Sequence, residues 1–219
     1  MAETFLPDSF VILDLETTGL GADRCRVIEI GMVEVRGSKV TDTYTTLIDP
    51  GCPIPSFITG ITGIRSEMLR GAPRFEQVAA PVGEFLDRGL MVAHNAPFDF
   101  RFISAEFERA GQVRRPDHLC TVRMARRLVP ELRSCSLDSL MRHFEIRLQE
   151  NKRHRALGDA LATARIFIQL CRLTLNPDEL IGSLVRSPQG CQAPEAGQKH
   201  ASRRVPDTRS SQESFNSGR

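Results

Sequence analysis

The sequence predicts an α/β domain, and three features carry that expectation. Three strand-like stretches, Phe10 to Leu13, Arg26 to Arg36 and Val40 to Ile48, follow one another across short connections. Two further apolar runs, Leu90 to Ala93 and Leu119 to Val122, are separated by stretches with apolar residues at helical spacing. Beyond Arg186 the apolar residues all but vanish, which places an end to the folded part.

Phe10 to Leu13 is an apolar run of the length of a buried strand, and it leads into Asp14 and Glu16 before a Thr17-Thr18-Gly19 turn. Arg26 to Arg36 alternates, and Val40 to Ile48 is rich in Thr and Tyr, residues that favour a pleated surface. With Gly37-Ser38 as a tight connection, these three strands form an antiparallel meander. Pro50 to Pro73 contains ITGITGI and reads as an ordered loop with short helical turns.

Phe75, Val78, Ala79, Val82, Phe85 and Leu86 trace a helix that Pro81 is expected to shorten or bend. After the fourth strand comes HNAPFDF, His94 to Phe100, opening a helix that runs to about Ala110. A basic helix follows the fifth strand at about Arg123 to Leu128, and another spans Leu137 to Phe144 with Ser136 as its cap. The longest helical pattern is Ala156 to Leu173, with Leu157, Leu161, Ala164, Ile168 and Cys171 expected on its inner face. We expect one domain over 1–185 and a disordered polar and basic tail over 186–219, which cannot offset its ordering entropy by burial.

Several function classes are excluded. No stretch approaches the length of a membrane span, and the start lacks the basic and long apolar regions of a secretion signal, so a cytosolic (cytoplasmic) protein with no membrane partner is expected. The six cysteines lie far apart with no CxxC pair, supporting neither a disulfide framework nor a zinc site. Charge is divided unevenly: residues 1–108 carry 9 Lys and Arg against 16 Asp and Glu, and residues 109–155 carry 12 against 5. An acidic part suited to cations thus adjoins a basic part suited to a polyanion, unless the charges are ordinary solvated faces.

Asp14 and Glu16 are two residues apart, so on a strand they project to the same face, where like charges repel unless a divalent cation lies between them. The alternative is that the strand has already left the core and both are solvated. Asp99, in HNAPFD, and Asp159, in HRALGD five residues after His154, are two further acidic positions. Taken singly they read as a helix cap and an exposed helix residue, and His154 as a surface histidine.

Taken together, DLETTG, HNAPFD and HRALGD resemble the three motifs of the DEDD exonuclease superfamily in its histidine-bearing, DnaQ-like branch, which includes the proofreading exonucleases of bacterial DNA polymerase III. The resemblance covers about Ser9 to Leu173, and Ile58 to Leu69 resembles the matching loop of the PolC type. It implies a ribonuclease H-like fold: a mixed five-stranded sheet flanked by helices, its first three strands antiparallel. It further implies that Asp14, Glu16, Asp99 and Asp159 hold two Mg²⁺ or Mn²⁺ ions, Asp14 bridging both, while His154 takes a proton from the attacking water. Such ions, about 3.5 to 4 Å apart, clamp the attacking and leaving oxygens of a phosphodiester. His94 is assigned structural hydrogen bonds instead. Substrate contacts carried over by position are Thr17, Ile61, Thr62, Asn95 and Phe98, although several proofreading relatives have histidine where Thr62 stands; Ile61 and Phe98 have core packing as their alternative.

The expectation is therefore a 3′–5′ exonuclease acting on single-stranded or frayed 3′ ends of DNA, releasing nucleoside 5′-monophosphates in proofreading or repair. An RNA-trimming relative of the oligoribonuclease or ribonuclease T kind is the alternative. A third expectation, of another class, is an interaction subunit in which the tail, with QESF at Gln212 to Phe215, recruits a polymerase catalytic subunit or a sliding clamp. Arg114, Arg115, Arg123, Arg126 and Arg127 are candidates for steering a nucleic acid backbone.

Overall fold

A computed structural model describes residues 8–148 and 153–188. The expected tail, Gln212 to Phe215 included, lies outside the described residues from 189 onward; within them, Arg186 pairs with His118 through two main-chain hydrogen bonds of 2.9 and 3.0 Å.

Five strands form one sheet in the order β3-β2-β1-β4-β5. They are β1 (Ser9–Thr17), β2 (Val27–Arg36), β3 (Lys39–Leu47), β4 (Leu90–Ala93) and β5 (His118–Cys120). The first three are antiparallel neighbours, and β1, β4 and β5 run parallel. The helices are α1 (Ser56–Thr62), α2 (Phe75–Leu86), α3 (Pro97–Arg109), α4 (Thr121–Leu128), α5 (Leu137–His143), α6 (Ala156–Arg172) and α7 (Pro177–Leu184).

Each face of the sheet has its own core, because alternate strand residues point opposite ways. Val11, Leu13, Leu15 and Met32 pack against α2 and α3, where Phe75 meets Phe107 edge-on at 5.2 Å between ring centroids. Ile12, Val33, Val35 and Val92 pack against α4, α6 and α7. Asp14 and Glu16 continue the alternation of Ile12, so they emerge on the α6 face.

Four expectations need adjusting. β1 runs on through Thr17, so both carboxylates lie within the strand, held by pairing of Asp14 with Gly31 and Glu16 with Glu29. Of the two effects expected of Pro81, shortening does not occur: α2 keeps its full range from Phe75 to Leu86. β5 stops at Cys120 rather than Val122, and α4 starts at once with the fully buried Thr121. On α6, Leu157, Leu161, Ile168 and Cys171 are only half-buried. The deepest positions are Ala160, Ala162, Ala164, Ile166 and Leu170, because α6 is enclosed by the sheet on one side and by α4 and α5 on another. Small side chains at Ala156, Gly158 and Ala160 let it lie close to the strands. α7, with Leu180, Ile181 and Leu184 buried, was not expected from the sequence.

Gly31 governs that close approach. A Cβ placed there would stand 2.3 Å from both the Ala156 carbonyl carbon and the Leu157 nitrogen, far inside van der Waals contact. Only glycine lets the start of α6 rest on β2 opposite Asp14.

Candidate active site

Three chain segments meet at one end of the sheet. The last part of β1 supplies Asp14 and Glu16, the first turn of α3 supplies Asp99, and the first turn of α6 supplies Asp159. Asn95 makes the second delivery possible: at φ 66° it turns the chain sharply out of β4, and asparagine tolerates that left-handed conformation. β1 pairs with β4 only as far as Ile12, so the β1 main chain beyond it lacks a strand partner there. The Asp99 carboxylate, on the first turn of α3, lies near this stretch, and the Leu15 main chain offsets part of the rise that burial imposes on its pKa.

α6 is placed by Glu29. Its carboxylate takes a two-pronged grip from Arg155, with Nε at 3.0 and 3.1 Å, and also accepts the Ala156 main-chain N–H at 2.9 Å. This pins the first turn of α6 to the strand neighbour of Glu16.

Among the described residues, carboxylate oxygens of Asp14, Glu16 and Asp159 all lie within 4.8 Å of one another. Asp99, only 4% exposed, adjoins this trio without belonging to it, and its charge acts strongly on Asp14. His154 lies outside it too, exposed and at φ 57° just before α6.

Crowding shifts the acidities. Burial pushes the Asp14 carboxyl well above its ordinary range, and Asp99, Asp159 and Glu16 push it further. Burial, then Asp159 and Glu29, raise Glu16 to about 7. Burial also raises Asp99 and Asp159, the latter opposed by Arg153 and by the charge and main chain of His154. Asp159 Oδ1 is buried without a hydrogen-bond partner. Hard oxygens, mutual repulsion and an orphaned acceptor fit a hard divalent cation.

His94 donates or accepts at Thr121 Oγ1, 3.0 Å away, and burial lowers it to about 4, so it stays neutral at ordinary pH. The expected substrate contacts differ in availability. The Thr17 hydroxyl donates to the Gly19 carbonyl at 2.6 Å, and Thr62 bonds the Ile58 carbonyl and the Ile64 N–H, closing its own helix. Asn95 is exposed, and Phe98 is half-buried against Phe102 at 4.8 Å between centroids. Ile61 is 55% exposed rather than packed in the core, and Phe57, one helical turn earlier, is 60% exposed. Together they form an apolar ridge on α1, whose opposite side packs on Ile28 through Ile58. Sequence reasoning passed over Phe57, although its spacing from Ile61 was the available signal.

The arginines of the basic stretch are mostly committed. Arg114 pairs with Asp87 at 2.7 Å, Arg123 donates to the Leu184 carbonyl and Arg127 to Ser183 Oγ. The latter two brace α4 against α7. Arg115 and Arg126 make no side-chain hydrogen bond among the described residues.

A family model described as Exonuclease (RNase_T) matches residues 11–167, the span that holds all four carboxylates. The chain belongs to this exonuclease family. It is 40% identical over 169 residues to a PolC-type DNA polymerase III of Caldanaerobacter subterraneus subsp. tengcongensis, covering 77% of this chain and 12% of that protein. It is 36% identical over 171 residues to the DNA polymerase III subunit epsilon of Aquifex aeolicus, covering 78% of this chain and 84% of that one. Among solved structures, Exonuclease X in complex with 5′ overhanging duplex DNA matches with a TM-score of 0.63 at 27% identity, covering 75% of this chain and 92% of that one. This exonuclease-family chain thus spans about an eighth of the PolC-type relatives and most of the epsilon subunit. No helix among the described residues is long and apolar enough to cross a membrane.

Proposed function

We propose that this nuclease is a metal-dependent 3′–5′ exonuclease that removes nucleoside 5′-monophosphates from 3′ ends of DNA in proofreading or repair, the domain comprising about residues 1–185. The observation that carries the reading is the convergence of Asp14, Glu16 and Asp159 within 4.8 Å beside a buried, unpartnered Asp159 oxygen. The names of the relatives, polymerase III proteins and a DNA-bound exonuclease, favour DNA over RNA and make a polymerase a candidate partner.

Asp14, Glu16, Asp99 and Asp159 would hold two Mg²⁺ or Mn²⁺ ions, with Asp14 central because it feels the other three. Bound there, divalent ions supply an activated water and neutralise charge on the phosphodiester oxygens. Glu29 keeps the ligand-bearing start of α6 in place through Arg155 and the Ala156 N–H. His154 would accept the proton of the attacking water; exposed at the rim, its imidazole can exchange protons with solvent. Phe57 and Ile61 offer a surface on which terminal bases stack, Asn95 and Phe98 border Asp99, and Thr17 shapes the turn beside Glu16.

Digestion of matched 3′-labelled DNA and RNA single strands with Mg²⁺ tests the proposal. Faster removal from DNA, lost on chelation and in Asp14→Asn, is expected. Faster trimming of RNA would replace the DNA reading with that of an exoribonuclease, and full activity in Asp14→Asn would refute the metal centre.

A further inference from the structure

Arg153 takes no part in the reading above, yet it touches two walls of the site. Its Nη1 donates to Asp159 Oδ2, and its Nε donates to Asp138 Oδ1 at 2.7 Å. One guanidinium therefore joins the first turn of α6 to the first turn of α5. Its two partners differ: the Asp159 side chain is 8% exposed and that of Asp138 54%. The inner bond lies where charge is little screened, the outer one close to bulk water.

Four crowded carboxylates without an ion need a positive charge nearby, and among the described residues Arg153 is the arginine that bonds to one of them, Asp159. Its charge also eases Asp14 and Glu16, opposing the shifts their neighbours impose. A divalent cation seeking Asp159 Oδ2 meets an oxygen already engaged by a cation, and the two repel.

Resting on the reading of Asp14, Glu16, Asp99 and Asp159 as cation ligands, we propose that Arg153 is the resident counter-cation of the metal-free centre. It competes with divalent ions for Asp159, and Asp138 retains it once it is displaced. Arg153 and Asp138 thereby set the metal affinity of the centre without ligating the metal.

The two residues then have opposite effects. Arg153→Gln removes the competitor and tightens Mn²⁺ binding about tenfold, the scale of a charge-assisted hydrogen bond. Asp138→Asn leaves Arg153 with Asp159 alone and weakens binding about threefold, the scale of an exposed ion pair. A purely structural role for Arg153 would instead move both variants the same way, toward weaker binding and lower thermal stability.

Mn²⁺ titration of the full chain by calorimetry, with the melting temperature in chelator alongside, reads these effects directly. Tighter binding in Arg153→Gln, together with a lower metal-free melting temperature, is expected; unchanged or weaker binding overturns the inference. Should Arg153→Gln not fold, Asp138→Asn decides alone by its sign, since unchanged or tighter binding is equally fatal. Mn²⁺ binding lost in Asp14→Asn but unaltered in both other variants refutes this inference and leaves the metal centre standing. Binding retained in Asp14→Asn refutes the metal centre itself and the inference with it.

Discussion

Replacing Gly31 with alanine puts the smallest possible side chain where α6 crosses β2. The new Cβ would lie 2.3 Å from Ala156 and Leu157 main-chain atoms, against 3.4 Å for the onset of ordinary contact. The start of α6 must therefore retreat by roughly 1 Å, since close-packed main chain on both sides leaves no flexible end to yield. Asp159 rides on the same turn, so its carboxylate moves away from Asp14 and Glu16 by a similar amount. Metal sites tolerate departures of only about 0.2 Å in ligand distance, and a misplacement of about 1 Å can cost on the order of 100-fold in rate. Overpacking of this kind costs about 1–3 kcal/mol, a fall of roughly 2–12 °C in melting temperature for a domain of this size. Circular dichroism melts, Mn²⁺ calorimetry and release of 3′-terminal label would follow the three consequences. Gly182→Ala is the control: it sits in α7 with nothing within 4 Å of its Cβ, and should be neutral or stabilising by about 0.5 kcal/mol. Unaltered Mn²⁺ affinity and melting temperature in Gly31→Ala would show that the glycine does not seat α6.

Asp14→Asn should lower the nuclease rate by at least about 1,000-fold, through loss of charge stabilisation worth several kcal/mol, while the metal-free protein melts a few degrees higher because a repelling charge is gone; label release and melting in chelator check the two together. pH acts through Glu16, whose carboxyl rises from 4.5 to about 7 on folding. Folding disfavours its charged form, so that stability is fully present below about pH 4.5 and lost as pH rises through about 7. Urea unfolding of the metal-free protein should show this decline, with metal affinity rising over the same window. Glu29→Ala leaves Arg155 to solvent and the Ala156 N–H uncapped, a loss of about 1–3 kcal/mol readable as a lower urea midpoint. Removing Arg115 and Arg126 together should flatten the salt dependence of DNA binding, whereas removing Arg123 and Arg127, which brace α7, should chiefly lower stability.

Much of this architecture was readable because its signals are local. Apolar alternation marked the strands, the Gly37-Ser38 connection marked the meander, and the spacing from Phe75 to Leu86 marked α2 to the residue. Asp14 and Glu16 were legible as a pair because a strand forces residues two apart onto one face. What escaped depends on partners remote in the chain. Nothing near Glu29 announces that it waits for Arg155, nor anything near Arg153 that it spans Asp138 and Asp159. The leucine stripe of α6 misled because a helix enclosed on several sides buries its small residues deepest, whereas periodicity rewards the large ones. α7 was missed for a different reason: at eight residues behind a proline, its pattern is too short to stand out.

Two arginine–glutamate grips bind β2 and the residue just before it to segments made much later. Arg26 holds Glu106 at 2.8 and 2.9 Å across 80 residues of chain, and Glu29 holds Arg155 across 126. During synthesis the strand leaves the ribosome long before either late partner exists. Its charged ends stay hydrated, and the sheet face destined for α6 stays bare until residues near 172 have emerged. A nascent chain that lacks α6 therefore lacks Asp159 and cannot assemble the cluster of Asp14, Glu16 and Asp159. The proposed centre can be complete only after α6, the last long helix, has closed over the sheet.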